Sequence, residues 1–304
     1  MAVILGLDNG YGFTKDCGKD CTSGRMIGGH NFKSAISKKD SMLRGATTIT
    51  VDGETYTVGT GVGNIDVDKT NSTINKVCTL YDLAINGVDN DYKLVVGLPI
   101  SNWEFQHEKF RTSVMNYAKS EVIYQGKTFK PKIKDCYVYK QGLAALYMMD
   151  ELRDCILVDI GSLTVDICQI DLIGGSPHLA HLDTLYGGVK KLFSSVQSAI
   201  NNHYGLIEDD YRAEGYLMRG LKINGVKKDL SFLKEIKMEF MEPIIDNIKL
   251  NYSYRTMPII IHGGGSILLK DEFKDSFPLV EKFDNPALVN AMGYERVGEL
   301  YYDK

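Results

Sequence analysis

Two stretches of the sequence, about half a chain apart, run from apolar residues into an aspartate and a glycine-containing turn. In LGLDNGYGFTK, residues 5–15, Asp8 precedes the turn and Lys15 follows it. In VDIGSLTVDI, residues 158–167, Asp159 stands in the same position. Glycine-rich hairpin turns expose consecutive backbone N–H groups that bind phosphate oxygens, and a carboxylate beside them suits hydrated Mg²⁺. The pattern predicts that the two turns together bind one Mg²⁺-polyphosphate.

A third glycine-rich segment lies between an apolar run and a helical pattern, in PIIIHGGGSILLKDEF at residues 258–273. Nucleotide-binding loops of α/β proteins occupy this place between a strand and a helix. Each segment also has a purely structural interpretation, because Asn9-Gly10 alone is a strong hairpin signal and glycines serve many turns. The recurrence of such turns favours phosphate binding.

Strands and helices alternate around these turns. Strand–turn–strand hairpins are predicted at residues 2–17 and 154–172. Apolar residues at helical spacing predict helices at 72–86, 103–118, 140–152, 188–203, about 208–218, about 229–252 and 285–302. The two hairpins form a weak internal repeat, which predicts two similar α/β domains.

The composition of the chain excludes several classes of function. The 304 residues suffice for two domains with separate cores, and the net charge of −4 offers no basic surface for nucleic acid. We expect neither a membrane-spanning segment nor a cleaved leader, because no apolar run is long enough to cross a bilayer and MAVILGLDNG has no basic segment or cleavage site. Six scattered cysteines indicate a reduced, cytoplasmic protein.

Spacing excludes other candidate sites. The GKT at residues 126–128 resembles the end of a P-loop, but Glu121 stands where that motif requires glycine. Cys17 and Cys21 have no second pair of ligands nearby, and the six histidines show no metal-ligand spacing. No zinc-type site is predicted.

Five motifs, in order along residues 3–294, resemble those of the superfamily that unites actin, heat-shock chaperones and sugar kinases. The sequence is most similar to the ParM family of plasmid-segregation actins and also resembles archaeal actin-like proteins. The motifs are the first phosphate loop DNGYGFTK, the second phosphate loop DIGSLTVD, the first connecting helix YKQGLAAL, the adenosine loop HGGGS and the second connecting helix NPALVNAMGY.

This resemblance implies two RNase-H-like, actin-fold domains of the α/β class flanking a nucleotide cleft. Domain I would comprise residues 1–151 and 286–304, with a small outer subdomain at about 18–70. Domain II would comprise residues 152–285.

The resemblance also assigns roles to residues. Asp8 and Asp159 would hold hydrated Mg²⁺, and Gln141 would orient the attacking water. Asp166 would support the water or the metal shell. The nucleotide would be bound by Asn9, Gly10, Tyr11, Gly12, Lys15, Gly161, Ser162, Leu163, Thr164, Gly187, Gly188, Arg212, Glu214, Gly263, Gly264, Gly265 and Ser266.

The implied function is an ATPase that uses ATP, ADP and Mg²⁺ and self-associates into filaments, for plasmid segregation through a DNA-binding adaptor. Direct contact with nucleic acid or membrane is not expected. The second loop departs from many relatives, which have two or three glycines where this chain has only Gly161. A small-molecule kinase of the same superfold is the alternative, although it would need an aspartate base where Gln141 stands. A chaperone nucleotide domain is disfavoured because no substrate-binding region follows.

Overall fold

The computed structural model describes residues 1–38, 47–63, 68–209 and 212–302. Its strands are β1 Ala2–Asn9, β2 Phe13–Asp20, β3 Met26–Lys33, β4 Ala35–Ser37, β5 Thr48–Val51, β6 Glu54–Val58, β7 Val62–Gly63, β8 Asp91–Leu98, β9 Val122–Tyr124, β10 Lys127–Phe129, β11 Lys132–Lys140, β12 Cys155–Ile160, β13 Thr164–Ile173, β14 Ser176–Tyr186, β15 Lys222–Ile223, β16 Val226–Lys227, β17 Ile259–His262 and β18 Val280–Lys282. Its α-helices are α1 Thr73–Gly87, α2 Ile100–Asn116, α3 Gly188–Tyr204, α4 Ala213–Arg219, α5 Leu233–Asn251, α6 Ser266–Ser276 and α7 Val289–Tyr302. Short 3-10 helices span Lys69–Asn71, Tyr117–Lys119 and Leu143–Met148.

The chain forms two compact units. The first comprises Met1–Asp150 with Leu288–Lys304, and the second comprises Glu151–Ala287. The central sheet of the first has the order β11-β8-β1-β2-β3, and that of the second the order β18-β17-β12-β13-β14. Both sheets change from antiparallel to parallel pairing at their middle strand. β1 begins the antiparallel series β1-β2-β3 and is parallel to β8 and β11, and β12 begins the antiparallel series β12-β13-β14 and is parallel to β17 and β18. The predicted α/β class is confirmed, and the hairpin repeat corresponds to a repeated sheet topology.

Burial explains why an apolar run ends in a carboxylate in each unit. β1 and β12 are the middle strands of their sheets, and their apolar residues are buried on both faces. Only their last residues reach the sheet edge, where the chain turns back into β2 or β13. Asp8 and Asp159 therefore lie at the carboxyl ends of central strands, where α/β proteins bind ligands.

A second sheet in the first unit has the order β10-β9-β5-β6-β4-β7. The segment predicted as an outer subdomain, about residues 18–70, is divided between this sheet and the central one, which takes β3. The hairpin of β9 and β10, distant in sequence, completes the second sheet through β5. Residues 39–46 and 64–67 of the predicted segment lie outside the described ranges.

Most predicted helices are confirmed, although the predicted helix at 140–152 is wrong. The chain there forms a 3-10 helix over Leu143–Met148 only, and Gln141 lies in a turn before it. Gly142 has a φ of 84°, which breaks an α-helix at this point. The helix predicted at about 208–218 is shorter, Ala213–Arg219, and residues 210–211 lie outside the described ranges. Among the described helices, we find none both long and apolar enough to span a membrane.

Candidate functional site

The first aspartate turn, residues 8–15, is a tight hairpin between β1 and β2. The N–H of Gly10 donates to the carbonyl oxygen of Phe13 at 3.0 Å, which closes a three-residue loop. Asp8 pairs with Lys15 across the strands, and Lys15 Nζ lies 3.3 Å from Asp8 Oδ2. Both side chains are largely buried. The turn thus combines a carboxylate and an ammonium group in contact, at the edge of the sheet.

Asn9 fixes this turn to helix α1. Its side-chain amide donates to Thr79 Oγ1 at 2.7 Å and, at 3.5 Å, to the carbonyl oxygen of Asn75. Helix α1 begins after Ser72, whose side chain caps the N–H of Asn75. The Asn9 amide nitrogen is therefore committed to the helix, whereas its Oδ1 is buried and has no hydrogen-bond partner among the described residues.

The second aspartate turn, residues 159–166, repeats the same backbone between β12 and β13. The N–H of Gly161 donates to the carbonyl oxygen of Thr164 at 2.9 Å. The residue opposite Asp159 is Asp166, so two buried carboxylates occupy paired positions. The hydroxyl groups of Thr184 and Thr164 donate to Asp166 at 2.6 and 3.2 Å. Like charges at paired strand positions repel, so this turn favours a nearby cation.

Helix α3 orients the second turn through its backbone. The N–H groups of Gly187 and Gly188 donate to the carbonyl oxygen of Leu163, at 2.7 and 3.0 Å. Those of the next two residues donate to the carbonyl oxygens of Gly161 and Ser162. In a trans peptide group, the C=O of one residue and the N–H of the next residue point in opposite directions. No cis peptide occurs in the described chain. The N–H groups of Ser162 and Leu163 are therefore directed away from α3, where they can meet an anion.

The loop Gly263–Ser266 packs against this turn. Gly263 has a φ of +79°, and a side chain there would overlap the Asp159 carboxylate and lie 2.7 Å from the Ile160 carbonyl oxygen. Gly264, by contrast, faces open space. The buried hydroxyl of Ser266 donates to the Gly263 carbonyl oxygen at 2.8 Å. Gly263 and Ser266 thus support the turn, and Gly264 is the position at which a ligand could approach this loop.

Gln141 lies at the same sheet edge as the first aspartate turn. β1, β8 and β11 run parallel, so their carboxyl ends lie together, and Gln141 directly follows β11. Its N–H donates to the Leu98 carbonyl oxygen at 2.8 Å. Its Oε1 is buried and has no hydrogen-bond partner in the part of the chain that is described. This oxygen is a suitable acceptor for a water molecule.

The predicted residues Arg212 and Glu214 lie at the beginning of α4. Arg212, just before the helix, is exposed and pairs with Glu208 at 3.1 Å. Glu214 is half-buried in the first turn of α4. The structure therefore brings together the predicted residues of the second turn, of α3 and of the Gly263 loop in the second unit. The Arg212 side chain instead forms an exposed ion pair with Glu208.

Sequence reasoning missed Lys69. This lysine is 1% exposed, and its Nζ donates to the Gly97 carbonyl oxygen at 3.4 Å. The same atom lies 5.4 Å from the ring centroid of Tyr11 in the first aspartate turn. Lysines are seldom buried, and no spacing pattern in the sequence indicated this one.

Sequence reasoning also missed His262 at the end of β17. Its Nδ1 lies 3.8 Å from Asp159 Oδ1, and its side chain is fully buried. The parallel pairing of β12 with β17 places the two residues side by side. The histidine of the HGGGS motif was the available signal, because it immediately precedes the predicted glycine loop.

Comparisons with known proteins agree with this architecture. Residues 6–143 match the family model described as the N-terminal domain of actin-like proteins, and residues 157–275 match that of the C-terminal part of archaeal MreB-like actin homologues. An archaeal actin homolog of Thermoplasma acidophilum is 24% identical, covering 98% of this chain and 99% of that protein.

Two solved structures show the same fold. The ADP complex of an archaeal actin homolog superposes with a TM-score of 0.82 at 21% identity, covering 98% of this chain and 99% of the other. A 15-stranded ParM filament from Clostridium botulinum gives a TM-score of 0.80 at 19% identity, covering 99% of both chains. The two family matches and the fold agree along nearly the whole sequence, and the chain belongs to the actin-like protein family.

Proposed function

We propose that this chain binds Mg²⁺-ATP through its two aspartate turns, hydrolyses it, and assembles into filaments whose growth and decay follow the nucleotide. The observation that supports the proposal is the repeated turn, which has a buried aspartate near the end of a central strand in each unit. In the second turn, this aspartate stands beside backbone N–H groups directed away from α3. Family membership supports the same function.

The residues fit a magnesium nucleotide. When bound, Mg²⁺ would neutralise phosphate charge and orient the triphosphate. Asp8 and Asp159 offer the carboxylates that Mg²⁺ prefers, and the paired carboxylates Asp159 and Asp166 gain from a nearby cation. Lys15 supplies positive charge toward phosphate oxygens.

The remaining residues would position the reactants. The N–H groups of Ser162 and Leu163 would bind phosphate oxygens without reorganisation, because α3 fixes the Gly161 and Ser162 carbonyls of the same peptide groups. Gln141 would hold the attacking water through its buried Oε1. A neutral amide is a weak base, so its contribution is orientation of the water. Gly264 and Glu214 would contact the adenosine, and Arg212 would join them by giving up its ion pair with Glu208.

Filament formation would serve segregation of plasmid DNA in the cytoplasm, with a DNA-binding adaptor linking filament and cargo. The similarity to a ParM filament structure supports self-association of this kind. A head-to-tail contact that does not close on itself produces a filament, and a nucleotide-dependent change in the subunit can control it. The net charge of −4 agrees with an adaptor rather than direct DNA binding.

Calorimetry with Mg²⁺-ATP, followed by light scattering and sedimentation, tests the proposal. We expect binding and nucleotide-dependent polymer in the unmodified chain, and loss of both in Asp159→Asn. Asp171→Asn, on the same strand but far along it from the turn, is the matched control and should behave as the unmodified chain. Binding without polymer at tens of micromolar would refute the filament function. Transfer of labelled phosphate to a sugar or acetate would favour the kinase instead.

A further inference from the structure

Three residues of the first unit bring metal-binding atoms together away from the aspartate turns. Asp16 on β2 and Asp82 on α1 are both fully buried, and His30 on β3 lies beside them. His30 Nδ1 is 2.9 Å from Asp16 Oδ2, and the His30 backbone N–H donates to Asp16 Oδ1. One ligand atom from each of the three residues lies within 4.8 Å of the other two. We name this group the Asp16 cluster.

Asp16 accepts hydrogen bonds from His30 and Asn86, whereas Asp82 is poorly compensated. The Asn86 amide, which is neutral, donates to Asp16 Oδ2 at 2.5 Å and to Asp82 Oδ2 at 3.3 Å. Asp82 Oδ1 is buried and has no hydrogen-bond partner in the described ranges. Burial, and then the charge of Asp16, raise the pKa of Asp82 well above its usual value. Two buried carboxylates whose oxygen atoms lie within 4.8 Å of each other are unfavourable when both are charged, and either a proton or a metal cation relieves them.

From this geometry we infer that Asp16, His30 and Asp82 bind one divalent transition-metal ion. An imidazole nitrogen with two carboxylate oxygens suits Zn²⁺, Co²⁺ or Fe²⁺ better than Mg²⁺ or Ca²⁺, which prefer oxygen ligands. Ligand atoms about 2.1 Å from one ion stand about 3–4 Å apart, and the cluster needs little adjustment to reach that spacing. The His30 side chain is 39% exposed, which leaves a path for the ion and a water ligand.

The backbone around the cluster keeps this space open. Gly28 has a φ of +83°, and a side chain there would lie 2.7 Å from Asp16 Oδ2. The bound ion would connect β2, β3 and α1. Since Asp16 follows Lys15 and α1 anchors Asn9, it would stiffen the support of the first aspartate turn. The site is separate from the proposed nucleotide-binding residues and does not rest on that function.

Titration of the chelator-treated full chain with Co²⁺, without nucleotide, tests the inference. We expect one ion per chain with a visible spectrum of nitrogen and oxygen ligands, displaced by Zn²⁺. His30→Ala and Asp82→Asn should each weaken binding by more than about tenfold, because even second-shell changes cost that much. His181→Ala is the matched control, since His181 pairs with Asp183 at 3.2 Å but is not part of the cluster, and it should bind normally.

The variants also separate loss of metal from loss of folding. Asp82→Asn removes one of two adjacent buried carboxylates, so in chelator it should melt no lower than the unmodified chain. In Zn²⁺ the unmodified chain and His181→Ala should melt at higher temperature, whereas Asp82→Asn should not shift. Asp159→Asn should retain the Co²⁺ site. Absence of stoichiometric binding, a thiolate-type spectrum, or unchanged affinity in both His30→Ala and Asp82→Asn would overturn the inference.

Discussion

The two aspartate turns share a backbone and differ in charge. Asp8 faces Lys15 across its hairpin, whereas Asp159 faces Asp166 in the equivalent position. The repeated loop geometry follows from backbone hydrogen bonds and tolerates either partner. The residue at the paired position can therefore differ in charge between the two turns without a change in loop geometry. In the proposed function, the ammonium group of the first turn would face phosphate, and the paired carboxylates of the second turn would face a cation.

The turns also differ in what holds them. The first is tied to α1 by the side chain of Asn9, whereas the second is held by backbone contacts with α3 and with Gly263. Backbone contacts leave no room for added atoms. We therefore expect the second turn to respond most to added volume and the first to respond most to lost polar partners.

Gly263→Ala should give the largest effect. The alanine would have to adopt a φ near +79° and would overlap the Asp159 carboxylate, so we expect a loss of about 2–5 kcal/mol in the free energy of unfolding. Urea unfolding followed by circular dichroism measures it. Gly264→Ala is the adjacent control, because its side chain would enter open space, and it should change stability by less than about 0.5 kcal/mol. Equal effects at the two positions would show that the turn does not depend on this contact.

Lys15→Met should be the next largest. It leaves the buried Asp8 carboxylate without its cation, and we expect a loss of about 2–3 kcal/mol, since Lys15 is still 13% exposed. Lys38→Met breaks an exposed pair with Glu54 and should change the free energy of unfolding far less than Lys15→Met does. Urea unfolding of both variants provides the comparison. A Lys15 effect as small as that of Lys38 would mean that the ion pair does not stabilise the turn.

Local patterns were sufficient for much of this fold. The hairpins at Asp8 and Asp159 were predictable because an apolar run followed by a glycine turn is a local signal, and both turns form where expected. Long amphipathic helices such as α1 and α3 were predictable for the same reason. The predicted helix around Gln141 failed because Gly142 adopts positive φ in a turn fixed by Asn290, far away in sequence.

Features made by distant segments could not be predicted from the sequence. Pairing of β5 with the hairpin of β9 and β10 joins segments separated by the helices α1 and α2 and the central strand β8. Helix α3 caps the second aspartate turn through backbone carbonyl groups. Every residue type has such a group, so no pattern of residue types indicates this contact. Lys69 and His30 acquire their surroundings only from tertiary structure, and neither has an informative spacing.

The strands that lead into the turns suggest a smaller test at Glu295. β1 has Gly6 where β12 has Leu157, so α7 lies directly on β1, with the Glu295 amide nitrogen 2.5 Å from where a Gly6 side chain would begin. Burial, and then Glu299, raise the pKa of Glu295 above its ordinary 4.5 despite Arg296 and Lys19 nearby.

A raised carboxyl pKa means that the folded state holds its proton more tightly than the unfolded state does. The contribution of Glu295 to stability should therefore fall as the pH rises above about 4.5, the ordinary glutamate value, through the folded pKa. Glu295→Gln removes this cost and should be more stable at pH 8 by up to about 1 kcal/mol. The difference should vanish toward pH 4.5, which thermal melting across this range can check. A constant difference would assign the effect to packing instead of charge.

Asp166→Asn should give the smallest effect and tests the charge comparison most directly. The change removes the like charge opposite Asp159 but loses one of the two hydroxyl contacts, so gain and loss should cancel to within about 0.5 kcal/mol. Asp166→Ala removes both acceptors and should cost about 1–3 kcal/mol more. Urea unfolding of the two variants beside Lys15→Met completes the series. If Asp166→Asn destabilised the chain as much as Lys15→Met does, the paired residue would be a structural requirement in both turns, and charge would not distinguish them.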